Sequence, residues 1–563
     1  MKKHPLFAAL AAVLLVPLAA RADFIDLWAN KSPSEMGARK EPALGHSKVL
    51  LIPVQINYGT NPPLDLPRLK QFFTEDRSDA FRFRSFFRLA SLGRFQVDVD
   101  VMDPIIYDGC PTSLAGQAGC TIARGDISAL QAGMDFVRDI FRRAKYERKI
   151  DFSAYDINGL EGGPDGFIDG VMIVVNVPTG IAFPIWDLNS VTCSFTDPAN
   201  PSALDPHLCT GGPFEFDHVK IPAVAIGGIN YPDGQPHSEY IVAHEFSHLL
   251  GAADLYYEHP NSEDPYPNFQ GLHFSTMGDW NYDETAILHD AETRRALGWA
   301  DVHVVSGTET LTLLPAAAGG QVVKLGMLTP QHKEYFLVEA RAAHAHVDNL
   351  TTAAGTPTAG LAVYHVDWSQ GPLARDGSFI DRLLHCLDCD PYHPFIQNLE
   401  PDGRFSFVTA GVQPDDVMLF RDGATVGPSL GAPPLSKDNK EFNSNYYDGT
   451  VSGITITNVH VDDATGSVTA TFTAPSVADP CSDLVSPSPI SCEPGLTCID
   501  GSCVVPGEGG LADGGLPLPP GKSDGGTGDA PSGKPCGCSG DATPGLGALG
   551  LLLALGLRRR RAA

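Results

Sequence analysis

Apolar runs alternate with amphipathic segments along the first 300 residues. Short runs such as KVLLIPVQI at 48–56 are typical of buried strands, whereas apolar residues spaced about three or four apart are typical of helices that bury one face. Strands that alternate with helices indicate an α/β domain, which we place at 23–300. The predicted strands are 48–56, 94–101 and 171–177, and the predicted helices are 66–92 and 126–146.

The pattern changes after residue 301 to short strand-like runs separated by glycine, proline and aspartate. Strands at this spacing, with turn residues between them, predict an antiparallel β-sandwich over 301–475. The strand-like runs are 310–314, 334–338, 361–366 and 454–459.

A Cys-rich module and a linker are predicted after the β-sandwich. Residues 476–505 are too few for a hydrophobic core, and their four cysteines predict two stabilising disulfides. Residues 506–535 are rich in glycine, proline, serine and aspartate, which predicts a disordered linker. The four cysteines of the module are Cys481, Cys492, Cys498 and Cys503.

The N-terminus has the three parts of a secretory signal peptide, which we place at 1–22. Lys2 and Lys3 precede an apolar run over 6–20, and Ala20-Arg21-Ala22 has the form of a signal-peptidase site. The mature protein is therefore predicted to begin near residue 23 and to be exported.

Export places the twelve cysteines in an oxidising compartment, where disulfides form by default. Two pairs are close enough in sequence to close short loops, and a third pair, flanked by two histidines, also has the spacing of a second zinc site. Because exported thiols usually oxidise, a disulfide is favoured over zinc at that third pair. The pairs are Cys110 with Cys120, Cys193 with Cys209 and Cys386 with Cys389, and the flanking histidines are His385 and His393.

The C-terminal tail, 536–563, combines a cysteine motif, an apolar run and a basic end. Cys536-Gly537-Cys538 is followed by an apolar run over 545–557, which is short for a transmembrane segment, and by four arginines at 558–561 that fit the cytoplasmic side of a membrane. This order resembles the tripartite C-terminal sorting signal of myxobacteria. The resemblance implies that a sorting protease recognises the cysteines and removes the tail, leaving the protein at the cell surface or released. A permanent single-span anchor is the alternative.

Composition narrows the classes of partner. Apolar residues make up 43% of the 563 residues, so a single small binding module is excluded. The formal net charge of −28 repels phosphate backbones, so no nucleic-acid partner is expected. Such acidity suits an exported protein that binds calcium, although a role in solubility alone explains it as well.

The segment HSEYIVAHEFSHLLGAADLYY, which begins at residue 237, contains the strongest chemical motif. Its apolar spacing predicts a helix from Ser238 that ends at Gly251, a residue that adopts the left-handed conformation readily. His244 and His248 then lie one turn apart on one helical face and can direct ring nitrogens at one ion. Glu245 lies beside them, where a carboxylate can take a proton from water. The motif therefore predicts a zinc site with Glu245 as the catalytic base.

A catalytic zinc ion usually has three protein ligands, so the two histidines need a third. Because Gly251 lets the chain turn sharply, Asp254, six residues after His248, can return to the ion. The pattern H-E-x-x-H-x-x-G-x-x-D resembles that of the metzincins with aspartate as the third ligand. Downstream, Met277 in FSTMGDW resembles the methionine turn beneath the zinc in that clan. A gluzincin-like site with a glutamate ligand is the alternative, and its candidates are Glu263 and Glu284.

A calcium site is predicted in the segment 156–169, because carboxylate and amide oxygens alternate there with glycines. The spacing departs from that of a regular calcium loop, and an ordinary solvated acidic turn is an equal alternative. The candidate calcium ligands are Asp156, Asn158, Asp165 and Asp169.

Several segments between residues 48 and 472 together resemble the immune inhibitor A family of secreted bacterial metallopeptidases. The resemblance implies an α/β metzincin-like zinc peptidase domain, with zinc bound by His244, His248 and Asp254 and with Glu245 as the base. The segments are RFQV at 94–97, HEFSHLLGAADLY at 244–256, FSTMGDW at 274–280, ALGW at 296–299, YFLVE at 335–339 and GLAVYHVD at 360–367.

The predicted protein is thus a secreted or surface-displayed zinc metalloendopeptidase that acts on proteins or peptides, with signal peptidase and a sorting protease as processing partners. The alternative from another class is a surface adhesin or substrate-binding protein that retains a peptidase fold without turnover. The intact Glu245 argues against this alternative, since a protein without turnover has no need of a base beside its metal.

Overall fold

The structure is a computed structural model. It describes residues 43–59, 61–77, 82–115, 120, 127–158, 163–177, 180–184, 195–209, 214–228, 238–252, 255–257, 270–272, 274–278, 287–326, 334–344, 347–348, 358–367, 393, 395–401, 419–428, 443–475, 497–499 and 502–504. The predicted signal peptide, the linker and the C-terminal tail lie outside these residues.

Strands outnumber helices in the described residues, and the content is mixed α/β. The α-helices are α1 Leu66–Thr74, α2 Phe83–Ala90, α3 Ile127–Arg142, α4 Ser238–Leu249 and α5 Ala291–Ala296. Shorter helical turns are Thr112–Leu114, Arg143–Glu147, Phe152–Tyr155 and Ala316–Ala318. The strands are β1 Gly45–Ile56, β2 Phe95–Val101, β3 Ile105–Tyr107, β4 Val171–Val175, β5 Gly180–Pro184, β6 Thr196–Asp197, β7 Asn200–Leu204, β8 Phe214–Phe216, β9 Val219–Ile221, β10 Ala223–Gly228, β11 Tyr256–Tyr257, β12 Gln270–Gly271, β13 Val302–Val304, β14 Gly307–Leu313, β15 Val322–Leu325, β16 Glu334–Ala342, β17 Ala359–Asp367, β18 Ile396–Leu399, β19 Thr455–Asp462, β20 Ser467–Ala474, β21 Thr497–Ile499 and β22 Ser502–Val504.

A six-stranded sheet organises the N-terminal part, with the order β2-β1-β4-β10-β5 and with β3 also paired to β1. All its pairings are parallel except that of β5, which runs antiparallel to β10 at one edge. Parallel strands need crossover connections and are covered on both faces, which explains why β4 and positions 49–56 of β1 are almost entirely apolar.

Both faces of this sheet are buried by helices. On one face, Ile52 of β1 and Ile173 of β4 pack with Phe136 and Ile140 of α3. Alternate residues of the same strands point to the opposite face, where they meet α1, α2 and α4. That second layer contains many aromatic rings, which include Phe72, Phe73, Phe83, Phe86, Phe87, Phe95, Phe246 and Trp299.

Two further sheets form the part after residue 301. The five-stranded sheet has the order β13-β15-β16-β17-β18, and the three-stranded antiparallel sheet has the order β14-β20-β19. They share one hydrophobic core, to which Val338 and Val363 contribute from the first sheet and Ala470 and Phe472 from the second.

The predicted boundary at residue 300 is crossed by a continuous apolar core. Met277 and Ala291, which precede it, pack in one cluster with Val322 and Tyr364, which follow it. Residues after the boundary therefore pack directly against the segments that contain Met277 and Ala291.

The structure confirms the strands predicted near 48–56, 94–101 and 171–177, the helix near 126–146 and the strands of the second part. Two details differ. The predicted helix 66–92 is two helices, α1 and α2. The five-stranded sheet also contains one parallel pair, β13 with β15, because residues 305–321 pass through β14 in the other sheet before the chain returns beside β13.

The predicted disulfide between Cys110 and Cys120 is present. Cys209 is also disulfide-bonded, while Cys193, Cys386 and Cys389 lie outside the described residues. Among the helices of the described part, none is long and apolar enough to span a membrane, and the predicted run 545–557 lies beyond that part.

Candidate metal centre

Helix α4 carries the metal motif and is held tightly against the six-stranded sheet. Its Val242 lies over Gly227 of β10, where an added Cβ would stand 2.3 Å from a methyl group of Val242. Only glycine permits this close approach of helix and strand. The helix is therefore fixed at a short distance from the sheet, which limits the positions of its histidines.

The end of α4 is a Schellman motif, as the glycine at 251 predicted. Gly251 has a φ of 101°, its N–H donates to His248 O, and the N–H of Ala252 donates to Ser247 O. These two hydrogen bonds end the helix. They require a left-handed backbone conformation at Gly251, which glycine adopts without a steric penalty. Ala252 is thereby brought next to His248, whose Nδ1 it accepts from.

The structure brings His244, Glu245 and His248 together in one buried group. One ligand atom from each residue lies within 4.8 Å of the others, and the three residues are 5%, 2% and 0% exposed. The two imidazole rings are 4.9 Å apart between centroids and perpendicular to each other. This is the only such group of metal-ligand side chains within the described part of the chain.

Main-chain carbonyls fix the tautomer of both histidines. His244 Nδ1 donates to Thr276 O at 2.8 Å, and His248 Nδ1 donates to Ala252 O at 2.9 Å. A carbonyl oxygen only accepts, so in each neutral ring the proton is on Nδ1 and the lone pair is on Nε2. Hydrogen bonds of this kind orient the imidazole ligands of metal sites and raise their basicity.

The segment 274–278 lies against His244 and against the chain that follows α4. Its Thr276 O binds His244, and Met277 O accepts the N–H of Leu255 at 2.7 Å. Met277 is fully buried. Gly278 is required here, because a Cβ at this position would lie 2.4 Å from the carbonyl oxygen of Leu272.

Ser247 of α4 forms a hydrogen bond with a buried histidine, His289, of the segment 287–290. Ser247 Oγ donates to Ala243 O at 2.8 Å and lies 2.8 Å from His289 Nε2. Since the hydroxyl has one proton, His289 is the donor in the second contact. Burial, with smaller effects of Arg294 and His244, holds the pKa of His289 well below its usual value, so the ring is neutral. It packs among aromatic rings that include Phe86 and Trp299.

Asp254, the predicted third zinc ligand, lies outside the described residues, as do Glu263 and Glu284. Its neighbours in sequence are held in place: Ala252 by His248 and Leu255 by Met277. The chain therefore lies against His248 at Ala252, before residue 254, and against the 274–278 segment at Leu255, after it.

The predicted calcium ligands are brought together only in part. Asp156 accepts the N–H groups of Asp165 and Gly166 at 2.8 Å each, while Asp165 itself is exposed. Asp169 accepts N–H groups of 157 and 158 at 3.0 Å and that of Lys48 at 2.7 Å, and burial raises its pKa. These bonds fasten the loop to β1.

Asn158 uses its amide in the same way, since Nδ2 donates to Leu44 O and to Ser47 Oγ at 2.8 and 2.9 Å. The acidic loop thus has a structural role that requires no ion. The calcium site stays a prediction.

The sequence analysis did not identify the groups that hold His244 and His248 in place. Thr276 and Ala252 act through main-chain carbonyls, which carry no residue-type signature. His289, which bonds to Ser247 of α4, and Arg341, which donates to the main-chain oxygens of Phe274 and His289, are distant in sequence from the motif. A signal existed for Arg341, because a strand as apolar as EYFLVEARA with Glu339 and Arg341 on one face indicates a buried ion pair.

A comparison with known protein families found no match for this chain, and a comparison with curated proteins found none.

Proposed function

We propose that the protein is an exported zinc-dependent endopeptidase that hydrolyses peptide bonds of extracellular proteins. The buried group of His244, Glu245 and His248, with both rings held as Nδ1–H tautomers, is the observation that carries this proposal. Two imidazole nitrogens suit zinc, whereas calcium and magnesium prefer oxygen ligands.

The spacing of the group also fits zinc. Zinc binds imidazole nitrogen at about 2.0–2.1 Å, so two rings on one ion have nitrogens no more than about 4 Å apart. The ligand atoms of His244, Glu245 and His248 lie within 4.8 Å of one another, an upper limit that is compatible with two zinc-bound nitrogens about 4 Å apart. Asp254 is the third ligand in this proposal, with Glu263 or Glu284 as the gluzincin-like alternative.

The reaction would use this chain's residues in distinct roles. Bound zinc would polarise the substrate carbonyl and lower the pKa of a water molecule to about 7. Glu245 would accept the proton of the attacking water and then give it to the leaving amine. Because Glu245 is 2% exposed, little bulk water would compete for that proton. Thr276 O and Ala252 O would keep the lone pairs of both rings directed at one point.

The finer classification is part of the same proposal: a metzincin-like peptidase similar to the immune inhibitor A family, followed by an antiparallel β-sandwich. The sequence motifs support the first part. The single hydrophobic core between the five-stranded and three-stranded sheets supports the second. The signal-like segment at 1–22 and the tail at 536–563 support export by signal peptidase and later removal of the tail by a sorting protease.

Glu245→Gln tests the mechanism. The amide cannot accept the water's proton, so we expect kcat on a peptide library to fall by about 10²–10⁴-fold while zinc stays bound. Glu239→Gln, on the same helix, is the control and should keep wild-type turnover. Near-normal turnover by zinc-loaded Glu245→Gln would contradict the mechanism. Stoichiometric zinc without any turnover in the wild type would favour the adhesin alternative.

A further inference from the structure

A cluster of fully buried charges lies at the junction between the metal centre and the part after residue 301. It contains Arg294 of α5, Glu339 and Arg341 of β16, and Asp348, all with side chains that are 0% exposed. Burying four charges is costly unless each is paired and hydrogen-bonded. The segments that these charged side chains bond to therefore indicate what the cluster does.

The guanidinium of Arg341 joins three chain segments. Its Nε donates to Glu339 at 2.8 Å, and its Nη1 donates to both carboxylate oxygens of Asp348 at 3.0 Å. Its Nη2 donates to the main-chain oxygens of Phe274 at 2.9 Å and His289 at 2.8 Å. The two carboxylates offset the charge, and the planar fork satisfies main-chain acceptors from two segments at once.

Both main-chain segments lead directly to the metal centre. The first, 274–278, supplies Thr276 O to His244 Nδ1. The second, 287–290, is bonded to the first twice: Ser275 Oγ donates to Asp290 at 2.7 Å, and Thr276 Oγ1 donates to Ile287 O. Movement of either segment would shift the carbonyl that orients the His244 ring.

We propose that Arg341 is a positioning residue of the metal centre, acting through the 274–278 and 287–290 segments on the orientation of His244. This assignment rests on the proposed zinc peptidase function. It makes the part after residue 301 a component of the active centre, because strand β16 supplies the guanidinium. The alternative is that Arg341 only stabilises the junction between the two parts.

The two roles differ in what they predict for zinc. Loss of a group that orients a zinc-bound histidine typically weakens metal binding by about 10–100-fold. Arg341 acts one step further from the ion, so the lower end, about tenfold, is expected. A residue that only stabilises the junction would lower the melting temperature and leave the zinc affinity of the folded protein unchanged.

Arg341→Lys is the informative substitution, because it keeps the charge but cannot bridge Phe274 O, His289 O and Asp348 together. We would measure the rate of zinc release to a chelator and the visible absorption spectrum of the cobalt-substituted full-length mature protein. Faster zinc release by about tenfold and altered cobalt bands are expected. Tyr335→Phe is the matched control, since Tyr335 is equally buried on β16 but its hydroxyl donates to Glu292 of α5.

Ser275→Ala provides a second, milder variant in case Arg341→Lys does not fold. It removes one of the two hydroxyl bonds between the segments and leaves the ion pairs of Arg341 intact, so it should also speed zinc release and alter the cobalt spectrum. Release at the wild-type rate from folded Arg341→Lys, or from Ser275→Ala where the first variant is unfolded, would overturn the assignment alone. A wild-type protein that binds no zinc would overturn the proposed function and this assignment together.

Discussion

Removing the hydroxyl of Ser247 would test the hydrogen bond between helix α4 and His289. Ser247 and His289 are both fully buried, and the direction of their hydrogen bond follows from the single hydroxyl proton, which goes to Ala243 O. Ser247→Ala would therefore leave the Nε2–H of His289 buried without its acceptor.

The expected loss can be worked out from these contacts. A buried donor left without its acceptor costs about 1–3 kcal/mol. The higher helix propensity of alanine returns up to about 0.5 kcal/mol. The free energy of unfolding should therefore fall by roughly 1–2 kcal/mol. His289→Phe should cost less, because the ring site is lined by Phe86, Phe87 and Trp299, and Ser247 keeps its bond to Ala243 O.

Urea denaturation of chelator-treated protein would measure the double-mutant cycle, with zinc removed because a bound metal adds its own stabilisation. The double variant Ser247→Ala/His289→Phe has neither donor nor acceptor, so its loss should be smaller than the sum of the single losses by about 1 kcal/mol. Losses that add within about 0.3 kcal/mol, or a Ser247→Ala loss below that size, would refute the hydrogen-bond direction.

Three further predictions concern the metals and pH. Asp254→Ala should lower zinc occupancy measured by mass spectrometry, and full retention of zinc would favour Glu263 or Glu284 as the ligand. Calcium should raise the melting temperature of chelator-stripped protein if the 156–169 loop binds it, and an unchanged melting temperature would remove that site. Burial holds the pKa of His289 well below 6.5, so the folded protein keeps this ring neutral. Below pH 6.5 the ring is protonated in the unfolded chain but not in the folded protein. The stability that the neutral ring contributes is therefore present above pH 6.5 and is lost as the pH falls below it. His289→Gln should therefore reduce the slope of unfolding free energy against pH at acid pH by about 1.4 kcal/mol per unit in urea titrations, and an unchanged slope would contradict a neutral buried ring.

The sequence was sufficient for elements whose signal is local. β4 and positions 49–56 of β1 were predictable because strands buried on both faces are mostly apolar, and α4 was predictable because its motif ends in a glycine. The antiparallel edge strand β5 and the short hairpins β6–β7 and β8–β9 were not predicted. β6, β8 and β9 have only two or three residues, which is too few to show a periodic pattern.

The candidate metal centre divides in the same way. The i, i+4 spacing of His244 and His248 predicted their proximity, which depends only on helix geometry. The acceptor for His244 Nδ1 could not be predicted, because Thr276 O lies 32 residues away and any residue type could supply a carbonyl there. Long-range contacts made by main-chain atoms leave no pattern in the sequence.

A buried charge cluster beside the candidate metal centre can fix the position of a chain segment more closely than apolar side chains could. Apolar packing fixes distance but not direction, so the segment 274–278 could slide while its side chains remained buried. Hydrogen bonds from Arg341 and Ser275 specify the register of that segment, since each acceptor satisfies a buried donor and any shift leaves the donor without a partner. Glu339 and Asp348 are then needed to compensate the guanidinium, and burial of Glu339 is outweighed by Arg341 and Arg294, which hold its pKa below the usual value. Glu339 therefore stays ionised, and the charged guanidinium keeps its bonds to Phe274 O and His289 O, which hold the segment whose Thr276 O accepts from His244.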